Sequence, residues 1–223
     1  MKPKVIVEGT VGAGKTTFIE VMSKKLNLEP IYELSDQKLV EILEKFYADP
    51  AKWGFQLQIY FLTKRFEQMD LAKKKVDVIM DRSIFCDHIF PLTLLKCGKL
   101  TNLEYEIYKD LHTTLLKLAT APRLMVYLRC STETAIKRIE KRGRSWELKV
   151  DKNYWYVLNQ CYEEYFANYN LSSLLVVNTD NIDEKFEGLD DLIKELLKSK
   201  RKVICEYDGK SVKRSVRNAG DSR

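Results

Sequence analysis

The chain has 223 residues, 45% of them hydrophobic and 11% aromatic, which is enough for one large domain with a sizeable core. Its net charge of +6 is local: from Lys198 to Arg223 nine basic and three acidic residues carry all of the excess. The other 197 residues hold 29 charges of each sign and are neutral, which does not suit a nucleic-acid-binding body.

In chain order, KVIVEG (4–9) predicts a strand, followed by a glycine-rich loop and a helix over 15–26. No secretory signal follows that apolar run, and no stretch approaches the roughly 18 apolar residues that cross a membrane. PIYEL (30–34) is a weaker strand candidate. Helical spacing then runs over 39–48 and over 51–75, the second as one long, largely buried helix. DVIMDRS (77–83) predicts a strand with polar residues at its end, and two helical stretches follow, 84–97 and 102–119. RLMVYLRC (123–130) predicts a strand, 131–143 a helix opened by Ser131 or Thr132, and 153–169 another helix. LLVVNT (174–179) closes the strand series and 183–200 is an amphipathic helix. After Lys200 the helical pattern is lost, and 201–223 reads as a basic tail, either mobile or a single loosely attached strand. Residues 1–200 form one domain.

Uniformly apolar strands alternating with longer helices predict an α/β fold, a parallel sheet covered on both faces. Ligands of such sheets bind at the C-terminal ends of the strands. The five cysteines are scattered and lack a C-x-x-C pair, so they argue against disulfides or zinc and for a reducing, cytoplasmic compartment.

Three motifs fall at that edge. GTVGAGKT (9–16) has the P-loop pattern G-x-x-x-x-G-K-[ST] between a strand and a helix. Its backbone, from Gly9, Thr10, Val11, Gly12, Ala13 and Gly14 to Lys15, Thr16 and Thr17, would cradle the phosphates of a nucleoside triphosphate. The helix N-terminus adds partial positive charge. Lys15 would reach the terminal phosphates and the Thr16 hydroxyl would ligate Mg²⁺. DRS (81–83) sets Asp81 and Arg82 facing the P-loop, either as active groups or as a structural ion pair. EKRGRSWEL (140–148) sets Arg142 and Arg144 around Gly143. Such a cluster repels itself unless an anion sits against it, and a loop closing over a triphosphate supplies one.

Together with FYADPAKWGFQLQIYFLTKRF (46–66), DRSIFCD (81–87), YLRCSTETAIKRIEKRGRSWE (127–147) and YWYVLNQCYEEYF (154–166), the P-loop resembles the deoxynucleoside kinase family. The likeness runs from about residue 4 to 197 and is strongest to the bacterial-type deoxyadenosine/deoxyguanosine kinase branch. It implies a P-loop kinase fold with a five-stranded parallel sheet and an arginine-rich lid. It also implies a homodimer through the 84–119 helices, and ATP-dependent, Mg²⁺-assisted phosphorylation of a deoxynucleoside 5′-hydroxyl for nucleotide salvage. Asp81 joins Thr16 as a metal ligand. By the same likeness Arg82 lies near the 5′-hydroxyl and Arg142 and Arg144 are the lid arginines. Glu147 and Tyr47 meet the sugar 3′-hydroxyl, Gln58 pairs with the base edge, and Trp53 walls the base pocket. Tyr47 and Trp53 also occupy apolar positions of helical spacing and could be core.

Arg65 lies two helical turns after Gln58, on the same face. In the family an arginine and an aspartate at the positions of Arg65 and Asp87 accompany purine and deoxycytidine substrates rather than thymidine. An anchored guanidinium can donate to base acceptors, and a thymine methyl would crowd it; a plain buried ion pair is the other reading. Two departures stand out. YELSDQ lacks the proline that follows the family's basic glutamate, which leaves Glu33 as the candidate general base and Asp36 as the fallback, and Trp146 replaces an acidic or small lid residue. The alternatives are a monophosphate kinase of the thymidylate kinase type and a P-loop ATPase switch.

Overall fold

The computed structural model describes residues 4–33, 37–75 and 77–216. Strand β1 (Val5–Glu8) turns through the glycine-rich loop into helix α1 (Lys15–Leu26), and β2 (Glu29–Ile31) follows. Helices α2 (Gln37–Ala48) and α3 (Pro50–Lys73) are separated at Asp49. The Asp49 carboxylate accepts from the Lys52 N–H at 3.2 Å and Pro50 takes the first helical position, so the break is written locally. Strand β3 (Val78–Asp81) leads to α4 (Ile89–Lys96), and residues 84–88, expected to be helical, are turns. Helix α5 (Asn102–Leu116) opens on a Thr101–Glu104 capping box.

Next come β4 (Leu124–Arg129), α6 (Thr132–Arg142), a 3-10 turn at Glu147–Lys149, α7 (Lys152–Ala167) and β5 (Ser173–Asn178). Helix α8 (Leu189–Lys198) starts later than its periodicity predicts, because Phe186 and Gly188 take left-handed conformations at φ 48° and 76°. Its buried Leu189, Leu192, Ile193 and Leu196 contribute about 1.5–3 kcal/mol each, whereas its exposed Lys194 ion pairs contribute under about 1 kcal/mol. The apolar face therefore fixes α8. Strands β6 (Val203–Tyr207) and β7 (Val212–Val216) end the described chain.

The strand order is β2-β3-β1-β4-β5-β6-β7, parallel except where β7 runs against β6. Alternate residues feed two cores, as strands buried on both faces require. Ile6, Met80, Met125, Leu174 and Val176 face a layer that includes Leu62, Tyr108 and Tyr162. Val5, Val7, Ile79, Val126 and Leu175 face Phe18, Ile19 and the apolar stripe of α8. The order grows outward from β1 on both sides, which sets the P-loop at the reversal where such sheets bind ligands.

Two expectations need correction. Among the described residues the sheet has seven strands instead of five. The segment after Lys200, expected to be a mobile tail or one loose strand, forms a hairpin over its described residues. Cys205 is fully buried in the α8 core, and Arg214 donates from two nitrogens to both Glu195 carboxylate oxygens at 2.6 and 2.8 Å. The hairpin covers the β5 edge, which would otherwise leave unpaired backbone groups.

Candidate active site

The P-loop turns through Gly12 and Gly14 at φ 83° and 91°. No side chain fits at Gly12, where a Cβ would lie 2.6 Å from the Ala135 carbonyl oxygen. Lys15 folds back on the loop and donates to the carbonyls of Gly9 at 3.0 Å and Thr10 at 2.9 Å. Burial pulls its amine down to about 7, and the neighbouring Arg82 charge pulls the same way. From the other side Arg138 Nη2 donates to the Thr179 carbonyl at 2.6 Å, and Thr179 Oγ1 donates to the Ala13 carbonyl at 3.2 Å. A cavity of ≈ 1390 Å³ runs from this loop to Gln58 and Arg65 on α3. That is more room than one drug-sized ligand takes.

At the end of β3, Arg82 sits at φ 65°, a left-handed conformation that costs a non-glycine residue about 1–3 kcal/mol. Its backbone N–H donates to the Val7 carbonyl at 2.9 Å, Nη1 donates to the Tyr162 hydroxyl, and the same nitrogen lies 3.8 Å from Glu8 Oε2. Burial opposes the Arg82 charge, but Tyr162, Glu33, Glu8 and Asp81 outweigh it, so the guanidinium stays charged. Burial likewise raises the Glu8 carboxyl, against the pull of Arg82 and Arg65.

Arg65 is the hub of the opposite wall. Nη2 donates to Glu33 Oε1, Nη1 donates to Gln68 Oε1 at 3.0 Å, and Nε lies 3.7 Å from Asp87 Oδ1. Asp87 in turn accepts from the Tyr108 hydroxyl at 2.7 Å. The two carboxylates differ. Burial raises Asp87, with Arg65 and Tyr108 only partly offsetting it. Burial also works to raise Glu33, but Arg65, Arg82 and Lys15 outweigh it and hold the carboxyl down at about 2.

The lid sits at the end of α6. Arg142 donates to both Glu147 oxygens, with Nη2 at 2.8 and 2.7 Å and Nε at 3.2 Å, and Arg144 Nη1 reaches Oε1 at 3.5 Å. Glu147 is only 6% exposed, so the anion that this cluster needs comes from its own loop. The Tyr47 phenol is pushed up by burial and by Glu147.

A family model described as deoxynucleoside kinase matches residues 5–202. The chain is 33% identical over 218 residues to the deoxyguanosine kinase of Lactobacillus acidophilus, covering 92% of this chain and 95% of that protein. It is also 33% identical over 183 residues to the deoxyadenosine/deoxycytidine kinase of Bacillus subtilis, covering 80% and 83%. The solved deoxyadenosine kinase of M. mycoides with bound dATP superimposes with a TM-score of 0.77 at 36% identity, covering 88% of this chain and all of that one. This chain belongs to the deoxynucleoside kinase family. It is an enzyme that phosphorylates deoxynucleosides, with ATP as the nucleotide it uses.

Of the described candidate residues of the kinase, all but Gly9, Thr10 and Trp53 line the cavity. Gly9 and Thr10 lie beneath the loop and supply the carbonyls that hold Lys15. Trp53 packs behind the cavity lining, against the cluster of Leu39, Phe46, Leu57 and Leu94, with the Lys45 and Lys52 ammonium groups 4.9 and 5.9 Å from its ring centroid. Asp36 lies outside the described residues. Residue-by-residue reading missed Arg138, Tyr108, Tyr162 and Gln68. Arg138 had a signal, since it precedes Arg142 by one helical turn and shares its face. The other three are polar atoms on apolar helix faces, indistinguishable from core in one dimension.

Proposed function

We propose that this kinase transfers the γ-phosphoryl group of ATP to the 5′-hydroxyl of deoxyadenosine, deoxyguanosine or deoxycytidine in preference to thymidine. The observation that carries the reading is Arg65 held between Glu33 and Asp87 on the wall opposite the P-loop. Its guanidinium can donate to base acceptors while Gln58, two turns earlier on the same helix and also lining the cavity, exchanges hydrogen bonds with the base edge. A monophosphate kinase needs uncompensated positive charge for its acceptor phosphate, whereas the two carboxylates against Arg65 offset its charge and suit a neutral base.

Glu33 would accept the 5′-hydroxyl proton as the oxygen attacks in line. A carboxyl held near 2 is a weak base, which suits a loose transition state in which that proton leaves late. Arg82 and Lys15 would meet the charge on the transferring phosphoryl oxygens. Arg142 and Arg144 would join them when the lid closes, and Glu147 and Tyr47 would take the sugar 3′-hydroxyl.

Thr16 and Asp81 fit Mg²⁺. Both line the cavity, Asp81 Oδ1 is buried without a hydrogen-bond partner among the described residues, and hydroxyl and carboxylate oxygens are the donors this ion takes. Bound there, Mg²⁺ supplies charge neutralisation at the phosphates. A homodimer is part of the reading: Leu103, Ile107 and Leu111 form a stripe on α5 and are 72%, 50% and 40% exposed. Five unpaired cysteines suit a reducing cytoplasm.

The test is ADP release from Mg²⁺–ATP with each deoxynucleoside, with deoxyadenosine monophosphate, and without acceptor. Turnover that requires a purine deoxynucleoside or deoxycytidine and is weak on thymidine supports the reading. Strong thymidine turnover overturns the base preference, and turnover only on the monophosphate or without acceptor overturns the reaction.

A further inference from the structure

Beyond the matched residues 5–202 the chain adds β6 and β7, and this hairpin touches the active site indirectly. Strand β6 pairs in parallel with β5, in the register Leu175↔Cys205 and Val177↔Tyr207. Just past β5 come Thr179, which holds the P-loop carbonyl of Ala13, and then Ile182, Glu184 and Phe186 of the cavity wall. The Phe186 ring meets Phe18 of α1 edge-on at 5.0 Å. This wall therefore stands on the P-loop side of the cavity, away from Arg65.

The hairpin tip is closed by its own hydrogen bonds. The Asp208 carboxylate accepts from the N–H groups of Lys210 at 3.0 Å and Ser211 at 2.8 Å and from the Ser211 hydroxyl at 2.9 Å. The Tyr207 hydroxyl donates to the Gly209 carbonyl at 3.2 Å. Gly209 sits at φ 95°, and a Cβ there would lie 3.3 Å from Ile182 Cγ1 and 3.7 Å from the Asn181 carbonyl oxygen. Tyr207 and Ile182 pack on the same core cluster. At its far end the hairpin is pinned by the two-pronged Arg214–Glu195 pair.

We propose that the C-terminal hairpin is a donor-site positioning element: its tip, through Gly209 and Tyr207, holds the Asn181–Phe186 wall at the distance from the P-loop that the base and sugar of ATP require. It sets affinity and selectivity for the phosphate donor and leaves the deoxynucleoside side alone. The proposal rests on the reading that the P-loop side receives ATP. A purely structural cover for the β5 edge would instead affect both substrates through stability.

The full-length chain carrying Gly209→Val tests this, since a branched side chain there must both leave the left-handed region and press on Ile182. The readouts are ATP affinity by calorimetry without acceptor, KM for each substrate, and the ratio of kcat/KM with ATP to that with GTP. The expected result is ATP binding weakened about fivefold or more and a changed donor ratio, with the deoxynucleoside KM within about twofold of the wild type. Tyr207→Phe removes only the hydroxyl on the Gly209 carbonyl and is read the same way, with a smaller shift, should the valine variant not fold. Unchanged donor affinity in folded variants overturns the proposal, as does an equal rise in both KM values. A wild-type protein without deoxynucleoside-dependent turnover would fail separately, overturning the function and this proposal with it.

Discussion

Arg65 and Glu33, 32 residues apart in the chain, are joined by a direct ion pair in the wall of the cavity. The same guanidinium lies against Asp87, so the side chain expected to read the base is tied directly to the group expected to take the proton.

Arg65→Gln removes the charge that most holds the Glu33 carboxyl at about 2, and burial then pushes that carboxyl up, with only Arg82 and Lys15 left to oppose it. The acidic limb of the kcat/KM profile moves to higher pH as a result. The sign is that of a depressed carboxyl: the stabilising contribution is present above 4.5 and is lost as pH falls toward 2. A pH–rate profile of the variant that keeps the wild-type acidic limb would rule out this control.

Lys15, lowered to about 7 in the unliganded kinase, rises when an anionic triphosphate sits beside it. ATP binding above that pH therefore takes up a proton, and affinity falls as pH rises through about 7. Calorimetry in buffers of different ionisation enthalpy measures the uptake directly. Binding heats that do not depend on the buffer would show that Lys15 is already charged.

Tyr108→Phe deletes the donor to Asp87 Oδ2 and leaves a buried carboxylate short of a partner. That loss costs about 1–3 kcal/mol, visible as a lower Tm. Asp87 also loses its orientation against Arg65, so discrimination against thymidine falls while the KM for ATP holds. A lower Tm with unchanged base preference would reduce Tyr108 to a structural role.

Ile107→Glu sets a charge in the middle of the exposed Leu103–Ile107–Leu111 stripe. If the proposed dimer forms through this stripe, sedimentation velocity should report a dimer for the wild type and a monomer for the variant. A variant that stays dimeric moves the interface to another surface.

Much of the fold was legible because it depends on local spacing. Apolar runs of strand length, the Asp49–Pro50 break and the Thr101–Glu104 cap are readable within a few residues. The hairpin was not, because Val203, Cys205 and Val212 are scattered among basic residues and gain a core only when the edge of β5 is alongside. Trp53 stands at a helical position like that of its neighbours, and only packing decided that it lies against the Leu39, Phe46, Leu57 and Leu94 cluster.

The sequence by itself determined the P-loop, the charged ends of the strands and the basic lid, since each is a short covalent pattern whose chemistry follows from residue type and order. Tertiary structure alone decided who pairs with whom. Arg65 takes Glu33 as well as Asp87, Arg142 takes Glu147, and Arg82 takes Tyr162 from 80 residues away. It also decided that Glu33 is held down and Asp87 pushed up, because burial and neighbouring charge act through space, and linear order does not encode distance in space.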